Sequence, residues 1–171
     1  GKRTPGDLID PEDLLHELRL HKTPRALEAM RESARLANIG HRRAMAVCRP
    51  GMHEYEVQAA MEFEWQVRGV MRTAYESIVG SGPNACVLHY RNNRRQMADG
   101  DLLLIDAGCE WDYYASDVTR TFPVNGRFTE AQRAVYEVVL EAQVQAIDAC
   151  RVGRSFDDVH DVAVGALVEG V

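Results

Sequence analysis

The sequence predicts a mixed α/β domain of the α+β kind, built as an internal duplication whose second half is cut short. Three observations lead there. Long stretches with helical periodicity are separated by short apolar runs of strand composition. The break Cys48–Arg49–Pro50–Gly51 recurs as Cys150–Arg151–Val152–Gly153, and Val57 recurs as Val159 at the same spacing, so two helix pairs follow one plan. The first pair leads into strands that carry isolated aspartates, whereas the second runs to Val171 with no strands after it.

Gly1 to Asp10 is polar, with two glycines and a proline, and reads as a linker. Pro11 to Leu20 has the pattern of a short amphipathic helix. Residues 1–20 together are expected to connect to an absent N-terminal domain. Thr23–Pro24 starts a long helix, with threonine as the cap and proline at the first helical position. Its inward stripe is expected at Leu27, Met30, Ala34 and Ala37. Arg49–Pro50–Gly51 ends it, and a second helix runs from about Glu54 to Gly69 with Val57, Ala60, Met61 and Val67 inward. Met61, Phe63 and Trp65 read as core.

Ser77 to Gly82 reads as a strand entering a glycine turn, and Asn84 to Tyr90 as a further strand ending in His89–Tyr90. The polar stretch from Arg91 to Gly100 is a loop. Next comes the stretch that organises the chain. Leu102 to Gly108 and Tyr114 to Val124 are two strands joined by a tight turn, and a turn centred on Trp111 and Asp112 sets Asp106 directly opposite Asp117. Directly opposed Cβ atoms lie about 4.5–5.5 Å apart. Two carboxylates so close repel, and one titrates high unless a cation sits between them. Paired metal ions in hydrolytic sites are about 3.5–4 Å apart, so an opposed aspartate pair suits them. Both aspartates sit inside strand-like runs, where an isolated carboxylate is costly without a partner. Thr129 then opens a third long helix with Gln132 completing a capping box, and Ser155 with Asp158 opens a fourth.

Composition narrows the function. The chain has 171 residues, 46% of them hydrophobic and 27% charged, enough for one domain with a sizeable core. A formal net charge of −6 argues against a general nucleic-acid binder. No apolar run reaches the roughly 18 residues of a membrane helix, and the first residues do not read as a signal peptide. The four cysteines, Cys48, Cys86, Cys109 and Cys150, are far apart and read as reduced thiols of a cytoplasmic protein.

Several of these stretches together resemble a known family. His89-Tyr-Arg-Asn-Asn93, the run from Ile105 to Thr129, Ser77 to Gly82 and Cys48 to Gly51 are similar to the proline-specific pita-bread metallopeptidases, the Xaa-Pro aminopeptidase branch above all. The resemblance runs from about Leu18 to the end. It implies a pseudo-symmetric pita-bread fold, with residues 21–171 forming the first part of the catalytic domain. It implies that Asp106 binds one metal and that Asp117 bridges two. By the same resemblance His89 contacts substrate near the scissile bond, and Tyr75 is a tyrosine that supports the ligands. One further histidine and two glutamate ligands are expected in the missing second half; His160 reads as a surface or packing residue.

The implied cofactors are two divalent metal ions, manganese by expectation. The implied reaction releases an N-terminal residue linked to proline, by attack of a metal-activated hydroxide while His89 donates to the developing charge. The implied partners are peptides with proline at the second position, with no nucleic acid and no membrane, in a homo-oligomer. A prolidase, a methionine aminopeptidase or a non-catalytic binding module on the same fold are the alternatives. The chain alone is expected to be inactive and to leave an apolar sheet face uncovered.

Overall fold

The computed structural model describes residues 10–170; the expected linker from Gly1 to Asp10 lies, but for its last residue, outside them. The element order is α1 (Glu12–Leu20), α2 (Pro24–Val47), α3 (Glu54–Gln66), β1 (Ile78–Ser81), a short 3₁₀ helix (Gly82–Cys86), β2 (Leu102–Ala107), β3 (Glu110–Trp111), β4 (Tyr114–Ala115), β5 (Val118–Pro123), α4 (Glu130–Ala149) and α5 (Phe156–Gly170).

The Thr23 hydroxyl accepts from Ala26 N at 3.2 Å, and Pro24 occupies the first turn of α2, as the sequence predicts. The buried stripe is different. It runs through Ala26, Ala29, Ser33, Leu36, Ala37, Gly40, His41 and Ala44, whereas Leu27, Met30 and Ala34 face outward. Close helix packing selects the small residues. A side chain on Gly40 would run into the indole of Trp65, whose Nε1 donates to Leu36 O at 2.9 Å. Val57, Met61 and Trp65 of α3 are buried as expected, but Phe63 and Val67 are exposed.

One antiparallel sheet, ordered β1-β2-β5, lies against these two helices. Leu103, Ile105 and Ala107 of β2 alternate inward and join Val79, Leu36, Met61 and Trp65 in the core. The expected strand from Asn84 to Tyr90 does not form. Gly80 has no side chain, so the backbone of Asn84 folds back against β1, and the chain continues as a 3₁₀ helix and a turn.

The hairpin turns one residue later than predicted. Trp111 pairs with Tyr114, so Asp112 and Tyr113 are the turn residues, with φ of 48° and 68°. Both central positions of such a turn need positive φ, and aspartate tolerates it. Asp106 therefore pairs with Thr119 rather than Asp117.

The repeat has a structural counterpart. α2 and α4 end on non-helical caps at Cys48 and Cys150, and Gly51 and Gly153 follow with φ of 89° and 88°. His53 with Glu56, and Ser155 with Asp158, then cap α3 and α5. Exposed apolar side chains lie on α1, at Leu14, Leu15, Leu18 and Leu20, and on α4 and α5, at Val135, Val139, Val144, Ile147 and Val168, rather than on the predicted sheet face. Helices α4 and α5 pack on each other, and their outer residues have no layer above them among the described residues.

Candidate metal centre

Asp106 sits near the end of β2, partly buried. Asp117 immediately precedes β5 and is exposed. The pairing shift moves partners by two positions, which preserves the face: Asp117 stands two residues from Thr119, diagonal to Asp106. The Tyr75 hydroxyl joins them, 2.6 Å from Oδ1 of Asp106 and 2.8 Å from Oδ1 of Asp117. A hydroxyl has one proton and donates to one acceptor at a time. Two carboxylates that share one donor leave room on their open side for a cation. Burial, then the hydrogen bonds to Asp106 and Asp117, push the Tyr75 phenol far above its ordinary range, so it stays a neutral donor.

The chain around the pair is built to this geometry. Tyr75 is delivered by a segment stitched to the hairpin, with Ala74 N donating to Gly108 O at 2.9 Å and Thr73 bridged to Cys109. Gly108 is forced: a Cβ there would collide with the Ser116 carbonyl. The Ser116 hydroxyl accepts from Cys109 N at 3.0 Å, taking the place of a backbone acceptor where the ladder breaks before Asp117. Ser33 of α2 donates to Cys109 O at 2.9 Å, which ties the break to the core.

His89 shares the cleft with the pair. It is exposed, has φ of 54°, and lines an opening of about 270 Å³ with Tyr75, Glu76, Ile78, Arg91, Asp106 and Asp117. The four residues expected at the site, Tyr75, His89, Asp106 and Asp117, thus meet in one place. A larger cavity, of about 600 Å³, lies around Gly69, Arg72, Trp111 and Tyr113 and contains none of them. His160 is exposed on α5. Among the described residues no three His, Cys, Asp or Glu side chains form a group that could hold a metal ion.

Sequence reasoning missed two contributors. His41 is buried beneath β2 with Nε2 3.0 Å from Ala107 O, and its Nδ1 is buried without a partner. Burial, opposed by the Ala107 carbonyl, lowers its pKa. Its helical spacing from Ala37 and Ala44 was the available signal. Glu54 is fully buried and holds the loop that carries His89; its position at the start of α3 gave no such signal.

Residues 28–171 match metallopeptidase family M24. The chain is 44% identical to the Xaa-Pro aminopeptidase of Escherichia coli strain K12 over 167 residues, 98% of this chain and 38% of that protein. It is 39% identical to the mitochondrial intermediate cleaving peptidase 55 of Arabidopsis thaliana over 158 residues, 92% of this chain and 32% of that protein. The chain thus spans well under half the length of these relatives. In three dimensions it matches Pseudomonas aeruginosa aminopeptidase PepP with a TM-score of 0.95 at 47% identity, over 98% of this chain and 38% of that one. It matches zinc-substituted E. coli aminopeptidase P in complex with product with a TM-score of 0.94 at 44% identity, over 97% and 38%. The fold is therefore that of the aminopeptidase P structures, as the sequence predicts. By sequence and by structure alike, this chain belongs to metallopeptidase family M24.

Proposed function

We infer that the chain forms the first part of the catalytic domain, residues 21–171, of a metallo-aminopeptidase that releases an N-terminal residue linked to proline. One observation carries this reading: Asp106 and Asp117 converge on a single hydroxyl in a cleft that also holds His89. The relatives named Xaa-Pro aminopeptidase support the substrate class.

Asp106 would hold one divalent cation and Asp117 would be shared between two, manganese in our reading, with the remaining ligands coming from residues beyond this chain. When bound, such cations activate water and stabilise charge on the scissile carbonyl oxygen. The chain's own residues do the rest. The neutral Tyr75 hydroxyl orients the two carboxylates. His89, at the cleft wall, donates to the substrate near the bond that breaks. Glu76 and Arg91, 3.4 Å apart at the cleft mouth, balance each other's charge where the peptide enters. Four free cysteines support a cytoplasmic setting, and the apolar residues on α4 and α5 support assembly into a homo-oligomer. No helix among the described residues is long and apolar enough to cross a membrane.

The test is hydrolysis by the intact protein of Ala-Pro-Ala against Ala-Ala-Ala and the dipeptide Ala-Pro, with chelator and with manganese restored. Cleavage of Ala-Pro-Ala that chelation removes and manganese restores is expected. Preference for the dipeptide would make it a prolidase, and preference for Met-Ala-Ser would make it a methionine aminopeptidase. No hydrolysis by the metal-loaded protein would make it a binding module.

A further inference from the structure

Glu54 is 0% exposed and no cation among the described residues pairs directly with it, yet its carboxylate accepts five hydrogen bonds. Oε1 takes Ser81 N at 2.8 Å, Ser81 Oγ at 2.7 Å and Asn84 Nδ2 at 3.1 Å. Oε2 takes the Tyr90 hydroxyl at 2.8 Å and Arg95 N at 3.0 Å. None of these donors belongs to α3, on whose first turn Glu54 sits. That helix is capped separately, by His53 and Glu56. A buried carboxylate is expensive unless its hydrogen bonds are complete, so this one is retained for what it joins. It joins the end of β1 to both flanks of the segment between Tyr90 and Arg95. Glu54 N also donates to Arg95 O at 3.1 Å, which closes the far end of that segment onto α3.

The residue before Tyr90 is His89. Its φ of 54° is an uncommon backbone state for a non-glycine residue, one that histidine enters more readily than most and that the surrounding contacts must hold. Asn93, with φ of 49°, pins the middle of the segment by accepting from Val79 N at 3.0 Å and donating to Ser77 O at 2.8 Å. The segment is thus fixed at Tyr90, Asn93 and Arg95, and His89 projects from the fixed part into the cleft.

We propose that Glu54 is a positioning residue for the reaction, setting His89 over the Asp106 and Asp117 pair through the Tyr90 hydroxyl. This rests on the role given to His89 above. Truncating the relay at Tyr90 frees the flank next to His89; it also removes the acceptor of Asn84 Nδ2 at 2.9 Å and of Arg94 N at 3.5 Å, while the bonds of Glu54 to Ser81, Asn84 and Arg95 remain.

The experiment is a double-mutant cycle in the intact, manganese-loaded protein, with Tyr90→Phe, His89→Ala and both together, and Glu54→Gln alongside. Turnover on Ala-Pro-Ala, metal content and amide hydrogen exchange over residues 87–97 are measured. Tyr90→Phe is expected to lower kcat about tenfold, chiefly through the lost hydrogen bond to the Glu54 carboxylate, with KM and metal content held. In the His89→Ala background the same change is expected to cost less than about twofold, because the relay then has nothing to position. Exchange over residues 87–97 is expected to rise in Tyr90→Phe while β2 stays protected. An equal cost of Tyr90→Phe with and without His89, or unchanged exchange, would overturn the proposal. Absence of peptidase activity in the unmutated protein would overturn the reading of function, and exchange would still decide whether the relay fixes the loop.

Discussion

Asp106 and Thr119 face each other across β2 and β5, which leaves Asp117 diagonal to Asp106, and the Tyr75 hydroxyl bridges the two carboxylates. The hydroxyl is therefore part of the pair's geometry. Tyr75→Phe in the intact protein removes it without changing the ring. Supporting hydrogen bonds of this type are worth roughly 10- to 100-fold in metal affinity or activity. Manganese affinity measured by calorimetry is expected to fall within that range with the fold unchanged. Affinity equal to the parent would show that the carboxylates hold their positions unaided.

Asp106→Asn and Asp117→Asn keep the side-chain shape and remove the charge. Each is expected to abolish Ala-Pro-Ala hydrolysis and to lower bound metal, with the circular dichroism spectrum preserved. Near-parental turnover in either variant would sink the assignment of that residue as a ligand.

His89→Ala is expected to behave differently. Turnover is expected to fall by a larger factor than metal content, because His89 lines the shared cleft but takes no part in the hydrogen bonds that join the carboxylates. Stoichiometric loss of metal in this variant would make His89 a ligand and remove its assigned role.

Much of the architecture was legible because local chemistry agrees with the fold. The caps at Thr23, Thr129 and Ser155 and the break at Cys48 to Gly51 sit where the sequence puts them. The hairpin was legible up to its turn. The residue types gave no sign that Tyr113 would adopt positive φ. The error survived because a turn displaced by one residue moves partners by two and keeps each side chain on its face. The stripe of α2 was misread because close packing against Trp65 favours Ser33, Ala37 and Gly40 over the bulky Leu27 and Met30. The His89 segment reads as a strand from Val87 and Leu88, but its path is set by Glu54, far away in sequence.

Gly108 is the tightest point of the site. Any side chain there meets the Ser116 carbonyl, and the backbone on either side is held by Ala74 and Cys109. Gly108→Ala is expected to cost about 3 kcal/mol, the upper part of the range for overpacking, read as a lowered urea midpoint with unchanged slope. A loss below about 0.5 kcal/mol, within the usual scatter of surface substitutions, would mean that the strand crossing opens easily at Ser116.

His41 gives the protein an acid sensitivity of its own. Its ring is buried, Nε2 lies against the Ala107 carbonyl, and Nδ1 has no partner to receive a second proton's charge. Burial depresses its pKa below the ordinary 6.5; the Ala107 carbonyl opposes this, the Arg120 charge adds to it, and Asp106 opposes it. The unfolded chain therefore binds a proton that the folded one refuses. Stability from this residue is complete above about pH 6.5 and is lost as pH falls from there through the depressed folded value. The slope reaches at most about 1.4 kcal/mol per pH unit, the value for one proton. His41→Gln keeps a donor for Ala107 O and cannot titrate in this range. Urea unfolding of both proteins between pH 7 and 5, with chelator present, should show the parent losing stability more steeply than the variant. Parallel curves would mean that His41 takes up its proton in the folded state at no cost, through an opening of α2 from the sheet.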